Sequence, residues 1–534
     1  MYIIALLKKI MSPKERMTFL VAFALLVISF LATSVFSIEE NSVFVPVRGG
    51  SYSEGIIGQP IMINPILSKN QADIDISALV YSPLSRLVAS SETSDEGRTY
   101  TIKLKEGLTW DDGQPLTSDD VAFTIKTIQN PDSRSPLEKN WHGISVTRAS
   151  ELQIIFKLPT QYSFFSEIIK RTPIIPQHIF SVIPVENFRL SSYSLKPVGS
   201  GPYMIKKINQ RRDGFITQYQ LVPNSLYAGD APFISNFFFK FYENKDDLLK
   251  GLRLREVNGF GDLSPLEDEF IKIGNTKLEK IPMSRYYAIF INSINNPALK
   301  DNNVRAALNL AIDKTALIKL LGEGNASAIN GPLVPLGQEN NNIFQNKYDQ
   351  ERARGILEKA KATNIKITLV VPDTEIFKKI GDFIKNSWTG IGVQDVTILP
   401  VDVSVIFENA VKTRNYEAIL FGNVLENPID LFPFWHSSQR PSPGLNLSFY
   451  QNLNVDKLIE KVHQTTDESE RINLAKQASL IIENDVQALF LFTEPYFYIH
   501  SEKLEGINAS FISVPSDRFL NVQNWSVTRA RILK

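Results

Sequence analysis

Between residues 97 and 128 the chain changes its period. Tyr100, Ile102 and Leu104 alternate with Thr101, Lys103 and Lys105, the spacing of a strand with one buried face. Val121, Ile125 and Ile128 then recur at helical spacing behind a Thr117/Asp120 capping pair. Glu106-Gly107 and Asp112-Gly113-Gln114-Pro115 separate the two with turn chemistry, since glycine permits positive φ and proline fixes its own. The same two periods continue downstream. Strands are predicted around Leu152, Ile154 and Phe156, over 215–222 and 234–242, and from Tyr286 to Asn292. Further short strands follow at Ile365 to Val371, Ile398 to Pro400, Ala418 to Phe421 and Leu489 to Phe492. Val304, Leu308, Ala311 and Ile312 predict a helix that Gly322 can end, and Tyr348 to Lys361 and Phe377 to Trp388 predict two more. Strands and helices in alternation favour an α/β architecture with a largely parallel sheet in the later half.

One stretch falls outside both periods. Met17 to Ile38 is free of charge throughout, and its 22 residues would span roughly 33 Å as a helix, enough for a bilayer core. Lys8, Lys9, Lys14 and Arg16 precede it against Glu15 alone, which places residues 1–16 in the cytoplasm and all that follows Ile38 outside. A cleaved signal peptide, with Ala32-Thr33-Ser34 as its site, is the competing reading; the length of the apolar run favours a retained single-pass anchor. At 534 residues the chain calls for several domains. Formal charge is zero and no long segment is basic, so nucleic-acid binding has no electrostatic support. Cysteine is absent, which excludes disulfides, thiolate chemistry and a lipid-modified cysteine. Five histidines, at 142, 178, 436, 463 and 500, leave little for a metal centre, and no cofactor is called for.

Several long segments share one resemblance. The first, YTIKLKEGLTWDDGQPLTSDDVAFTI, contains Trp110. Ile63-Asn64-Pro65 with Tyr81, Leu84, Arg86 and Leu87 comes before it, and KPVGSGPY, from Lys196, comes after. Then follow Tyr286 to Pro332, with Asn292, Pro297, Asp301, Arg305 and Asp313, and Ala418 to Ile459, with Trp435-His436-Ser437-Ser438-Gln439. Together they resemble the family 5 extracytoplasmic solute-binding proteins, the oligopeptide- and dipeptide-binding components of ABC importers. The resemblance implies a periplasmic-binding-protein type II fold: two α/β lobes joined by a hinge, plus an inserted domain, after the N-terminal transmembrane helix. Lobe I would comprise 41–95, 200–285 and 500–534, the inserted domain 96–199, and lobe II 286–499. It further implies a monomer that shuts over a peptide or other small solute and presents it to permease subunits, without being an enzyme. Arg305 and Asp313 read as structural, and Arg86 as a solvated helix end.

In peptide-binding members an acid just after the 418–421 strand pairs with the ligand's amino terminus. Here the segment reads Phe421-Gly422-Asn423-Val424, with an apolar residue at the acid's place. Asp430 and Glu426 are the nearby replacements, although an Asp before Leu431-Phe432 equally suits a helix cap. By the same resemblance Asn446, Tyr450, Trp435 and Trp110 are further candidates for the cleft. Two alternatives stay open: a receptor using the same fold without a permease, and a non-peptide ligand such as an oligosaccharide, metal chelate or haem. Asp430, His436 and Ser437 hold the residue types of a hydrolase triad, but no G-x-S-x-G elbow accompanies them.

Overall fold

Three sheets carry the architecture, seen in a computed structural model that describes residues 12–263, 273, 275–322, 324–334, 347–362 and 364–533. In the seven-stranded sheet, Ser51–Ile57 runs parallel to both Asn236–Tyr242 and Gly259–Asp262. Ile216–Pro223 and Tyr203–Gln210 extend one side, Tyr496–Ser501 and Thr276–Ile281 the other. Tyr52 and Phe237 from this sheet pack against Trp525 of the C-terminal tail.

The six-stranded sheet belongs to the later half of the chain. It is mixed rather than largely parallel. Lys366–Pro372 runs parallel to Asp395–Val401 and to Ala418–Val424, whereas Arg285–Ile291 runs antiparallel to Ala418–Val424 and Ala488–Thr493. The reason is topological: Arg285–Ile291 enters this lobe from the first, so it runs away from the crossing point where its neighbours end. The single helix expected from Val304 to Gly322 is two. Asn302–Leu310 stops at Ala311, and Asp313 starts Lys314–Leu321 by accepting from the amides of Thr315 and Ala316. Gly322, at φ +92°, ends the second.

A four-stranded antiparallel sheet, Val88–Ser94, Thr99–Leu104, Gln153–Lys157 and Ser145–Ser150, forms the inserted unit with helix Ser118–Gln129. It takes in residues ahead of 96, just as Tyr496–Ser501 joins the first lobe's sheet ahead of 500. The Thr117/Asp120 capping box is present, and the buried Asp120 also accepts from the amide of Gln177 at 2.9 Å. Burial raises the Asp120 carboxyl against the backbone bonds that lower it. Where the chain returns to the first lobe, Gly199 and Gly201 leave no room for a side chain. A Cβ would stand 2.0 Å from the Val80 carbonyl oxygen at the former and 2.5 Å from that of Leu79 at the latter.

Pro13–Glu40 is one helix, and the apolar window of Pro13–Thr33 is uncovered by the rest of the protein. It is long and apolar enough to cross a membrane. Residues 1–11 of the expected cytoplasmic tail lie outside the described residues. Directly after the helix, Ser42–Pro46 pairs with Arg529–Leu533 in a two-stranded ribbon, so the segment leaving the helix is held to the tail.

Candidate functional site

The chain passes between the two lobes twice. Pro282, Met283 and Ser284 connect Thr276–Ile281 to Arg285–Ile291; Glu494 and Pro495 connect Ala488–Thr493 to Tyr496–Ser501. Arg285 fastens the crossings together. Its guanidinium donates to the Glu494 carboxylate and the Pro495 carbonyl, both at 3.2 Å, and to the Leu263 carbonyl of the first lobe. Burial pushes the Glu494 carboxyl up to about 7, and the facing Arg285 only partly opposes it.

Strand register brings both sheets to this point. Asp262, the last residue of its strand, pairs with Phe497, two residues beyond Pro495, and Val424 pairs with Arg285. The carboxyl ends of parallel strands from both lobes therefore meet at the hinge, the usual place for a ligand crevice in open α/β sheets. Lys245 and Asp262 form an ion pair at the first lobe's side, 2.7 Å long.

Segment 424–430 leaves the hinge on the second lobe's side. Val424 is 42% exposed, so the residue at the acid's place does face outward. Glu426 is exposed as well. Its carboxylate accepts from Asn140 of the inserted unit at 3.3 Å, and its carbonyl accepts from Ser513 of the tail at 2.8 Å. Asp430 is more committed: Oδ1 lies 2.8 Å from Nε2 of His463 and accepts the Phe432 amide at 3.0 Å, while Oδ2 accepts from the Tyr162 hydroxyl at 3.4 Å. Its side chain is 12% exposed, with little lone-pair capacity left for a solute's ammonium.

The other sequence candidates are buried. Trp435 donates its indole N–H to the Tyr286 hydroxyl at 3.1 Å and packs edge-on against Tyr450. Asn446 spends its amide on the carbonyls of His436 and Tyr450 and the Tyr450 amide. Tyr450 donates to Asp485 at 2.6 Å, beside a cavity of about 430 Å³ lined wholly by second-lobe residues, Arg305 among them. These three meet, but behind the 424–430 segment as its support. Trp110 is elsewhere, fully buried in the inserted unit's core against His178. In this arrangement Trp435, Asn446 and Trp110 are buried, and Tyr450 lines the second-lobe cavity.

Arg305 donates to the carbonyls of Leu299, Lys300, Asp485 and Val486, which is the structural part expected of it. Arg86, expected to be solvated, is half-buried and donates to the Leu520 carbonyl at 2.7 Å, tying down the tail. The triad residues are not assembled: Asp430 partners His463, whereas His436 bonds Ser438 and Glu460. Among the described residues no group of three or more His, Asp or Glu is placed to hold a metal ion.

Sequence reading missed two clusters. Arg518, Glu54 and Asp75 form a buried triad, with the guanidinium 2.9 Å from Glu54 and 2.6 Å from Asp75. Burial raises Glu54 although Arg518 opposes it. The second cluster is the aromatic run Tyr162-Ser163-Phe164-Phe165, an unread loop whose first three residues reach the second lobe. Three aromatics outside any period were the available signal.

The family model for bacterial extracellular solute-binding proteins, family 5 (middle region), matches residues 83–442. The chain is 24% identical over 520 residues to the oligopeptide-binding protein AppA of Bacillus subtilis, covering 92% of this chain and 94% of AppA. AppA's structure in complex with a nonapeptide superposes with a TM-score of 0.71 over 91% of this chain and all of that one, at 24% identity. The substrate-binding protein CtaP of Listeria monocytogenes gives a TM-score of 0.77 at 23% identity, over 90% of this chain and all of CtaP. NikZ of Campylobacter jejuni, in complex with Ni(L-His), gives 0.70 at 22%, over 89% and 99%.

Proposed function

Because the chain belongs to the bacterial extracellular solute-binding proteins of family 5, we propose that it captures an oligopeptide-like solute at the hinge, closes its two lobes over it and delivers it to an ABC-transporter permease. Its fold is the two-lobed periplasmic-binding-protein type with an inserted unit. The observation that carries the reading is the two-crossover hinge to which both lobes bring the carboxyl ends of their parallel strands. The relatives compared are binding proteins, and AppA's nonapeptide favours an extended peptide here. The N-terminal helix serves as a membrane anchor, with the lobes on the extracytoplasmic side and the protein acting as a monomer.

In this reading Val424 and Glu426 face the solute, Asp430 acts through its neighbours, and Trp435, Asn446 and Tyr450 hold the segment from behind. Mass spectrometry of whatever co-purifies with the full chain, followed by calorimetry with that compound, tests it. A bound peptide with heat of binding is the expected result; no bound solute, and no heat across peptides, sugars and chelates, overturns it. A second reading is favoured by Val424 at the acid's place: a solute without a free ammonium. Paired peptides with free and acetylated amino termini decide between them. Glu426→Gln costs the free-amine peptide about tenfold if Glu426 is the anchor, the range of a lost charge-assisted bond.

A further inference from the structure

Besides the Asn140–Glu426 bond, a short loop of the inserted unit touches the second lobe, and the chemistry of that contact is specific. Helix Leu453–Gln464 ends with carbonyls that its own backbone leaves without partners. Ser163 supplies them from the other side: its amide donates to the His463 carbonyl at 2.7 Å and its hydroxyl to that of Val462 at 2.9 Å. Phe164, only 3% exposed, enters a socket made by Val462 and Ala475, a cluster separate from either lobe's main core. Arg471 stacks over the Phe164 ring at 5.3 Å and donates to the Ser163 carbonyl at 3.4 Å. Tyr162 lies edge-on to His463 at 4.8 Å between ring centres, and its hydroxyl reaches Asp430. Asp430 in turn holds His463 at 2.8 Å.

We propose that loop 161–165 is a closure latch, with Ser163 capping a second-lobe helix, Phe164 filling a socket there, and Asp430 positioning the latch through His463 and Tyr162. Asp430 thus sets solute affinity without touching the solute. The argument is physical. Separating the lobes at this contact would return Phe164, Val462 and Ala475 to water and strip two helix-end carbonyls of their donors. A contact of this kind favours the closed arrangement whatever lies in the crevice, and ligand affinity then depends on it. The inference rests on the reading that the lobes open and close.

The absence of cysteine makes the test direct, because Lys157→Cys and Lys476→Cys can be labelled as a pair on the inserted unit and on helix Glu468–Asp485. Single-molecule energy transfer on the solute-free full chain in nanodiscs then reads the closed-to-open ratio. Wild type is expected to show two distances, and Phe164→Ala to lower the ratio at least fivefold. Asp430→Asn moves it the same way, and Ser163→Ala, which removes only a hydroxyl, by about twofold. Two populations that none of these changes, in variants with unaltered melting, overturn the latch and leave closure standing. One fixed distance in every protein overturns closure and the latch with it.

Discussion

Glu494→Gln probes the hinge by changing one proton. Glu494 is buried in the second crossover, and Arg285 reaches its Oε2 at 3.2 Å. Burial outweighs that partner and lifts the carboxyl from 4.5 to about 7. Between those values the folded chain binds a proton that the unfolded chain has released, so stability falls as pH rises. The contribution is whole below pH 4.5 and lost as pH passes through about 7. Integrated from pH 5 to pH 8, it amounts to about 2–3 kcal/mol, undiscounted for solvent because the side chain is buried. Glutamine keeps the shape and cannot titrate. The assay is denaturant unfolding of wild type and variant at half-unit pH steps, taken as a difference so that every other titrating group cancels. Wild type is expected to lose about 2–3 kcal/mol relative to the variant across that span. Parallel pH profiles would refute the reasoning, because they would mean that Arg285 holds the carboxylate ionised as effectively as water does.

Three further outcomes follow from buried groups. Arg518→Met strands Glu54 and Asp75 together without their cation and is expected to cost about 3–5 kcal/mol at neutral pH, less below pH 5, in urea unfolding. Gly201→Ala sets a Cβ against the Val80 and Leu79 backbone, which cannot yield, so thermal melting should show a loss of at least about 2 kcal/mol. Lys314 is buried, and desolvation brings it down to about 7, so the folded chain gives up a proton that the unfolded chain keeps up to about pH 10. Its contribution to stability therefore rises with pH from 7, and Lys314→Met should raise the melting temperature more at pH 6 than at pH 9.

How much of this the sequence disclosed depends on where the information was local. The Thr117/Asp120 cap and the Asp112 turn depend on residues close together in the chain, and each forms as the local pattern indicates. Sheet direction in the second lobe was not local: Arg285–Ile291 looks like any other apolar strand, and only its arrival from the first lobe sets it antiparallel. The surroundings of the candidate site residues were illegible for a related reason. Trp435, Asn446 and Tyr450 are the residue types a binding cleft uses, but the same types serve equally well in a core, and the choice lies with partners such as Tyr286 and Asp485 that no spacing reveals. Asp430 stands out in the sequence, and its partners do not. His463 lies 33 residues away and Tyr162 lies 268 away in another unit.

Those distant partners decide what the latch can be worth. Burying Phe164 contributes roughly 1.5–3 kcal/mol, and the two capping bonds about 1 kcal/mol each. Against this stands the ordering of three or four loop residues at roughly 1–2 kcal/mol each, which offsets the gain to within a few kcal/mol either way. On the proposed reading, closure without a solute is therefore near balance, which suits a carrier: a strongly closed form would bar entry, and a strongly open one would waste affinity. The arithmetic has a consequence for binding. When the closed and open forms are near equal, a tenfold fall in the closure constant weakens overall affinity about fivefold, since the free open form rises while the liganded closed form falls. Phe164→Ala should thus weaken every solute by about that factor, with free and acetylated peptides alike. Titration calorimetry with both peptides checks it. A loss confined to the free amine would assign the effect to the ammonium contact and remove the latch from the account of affinity.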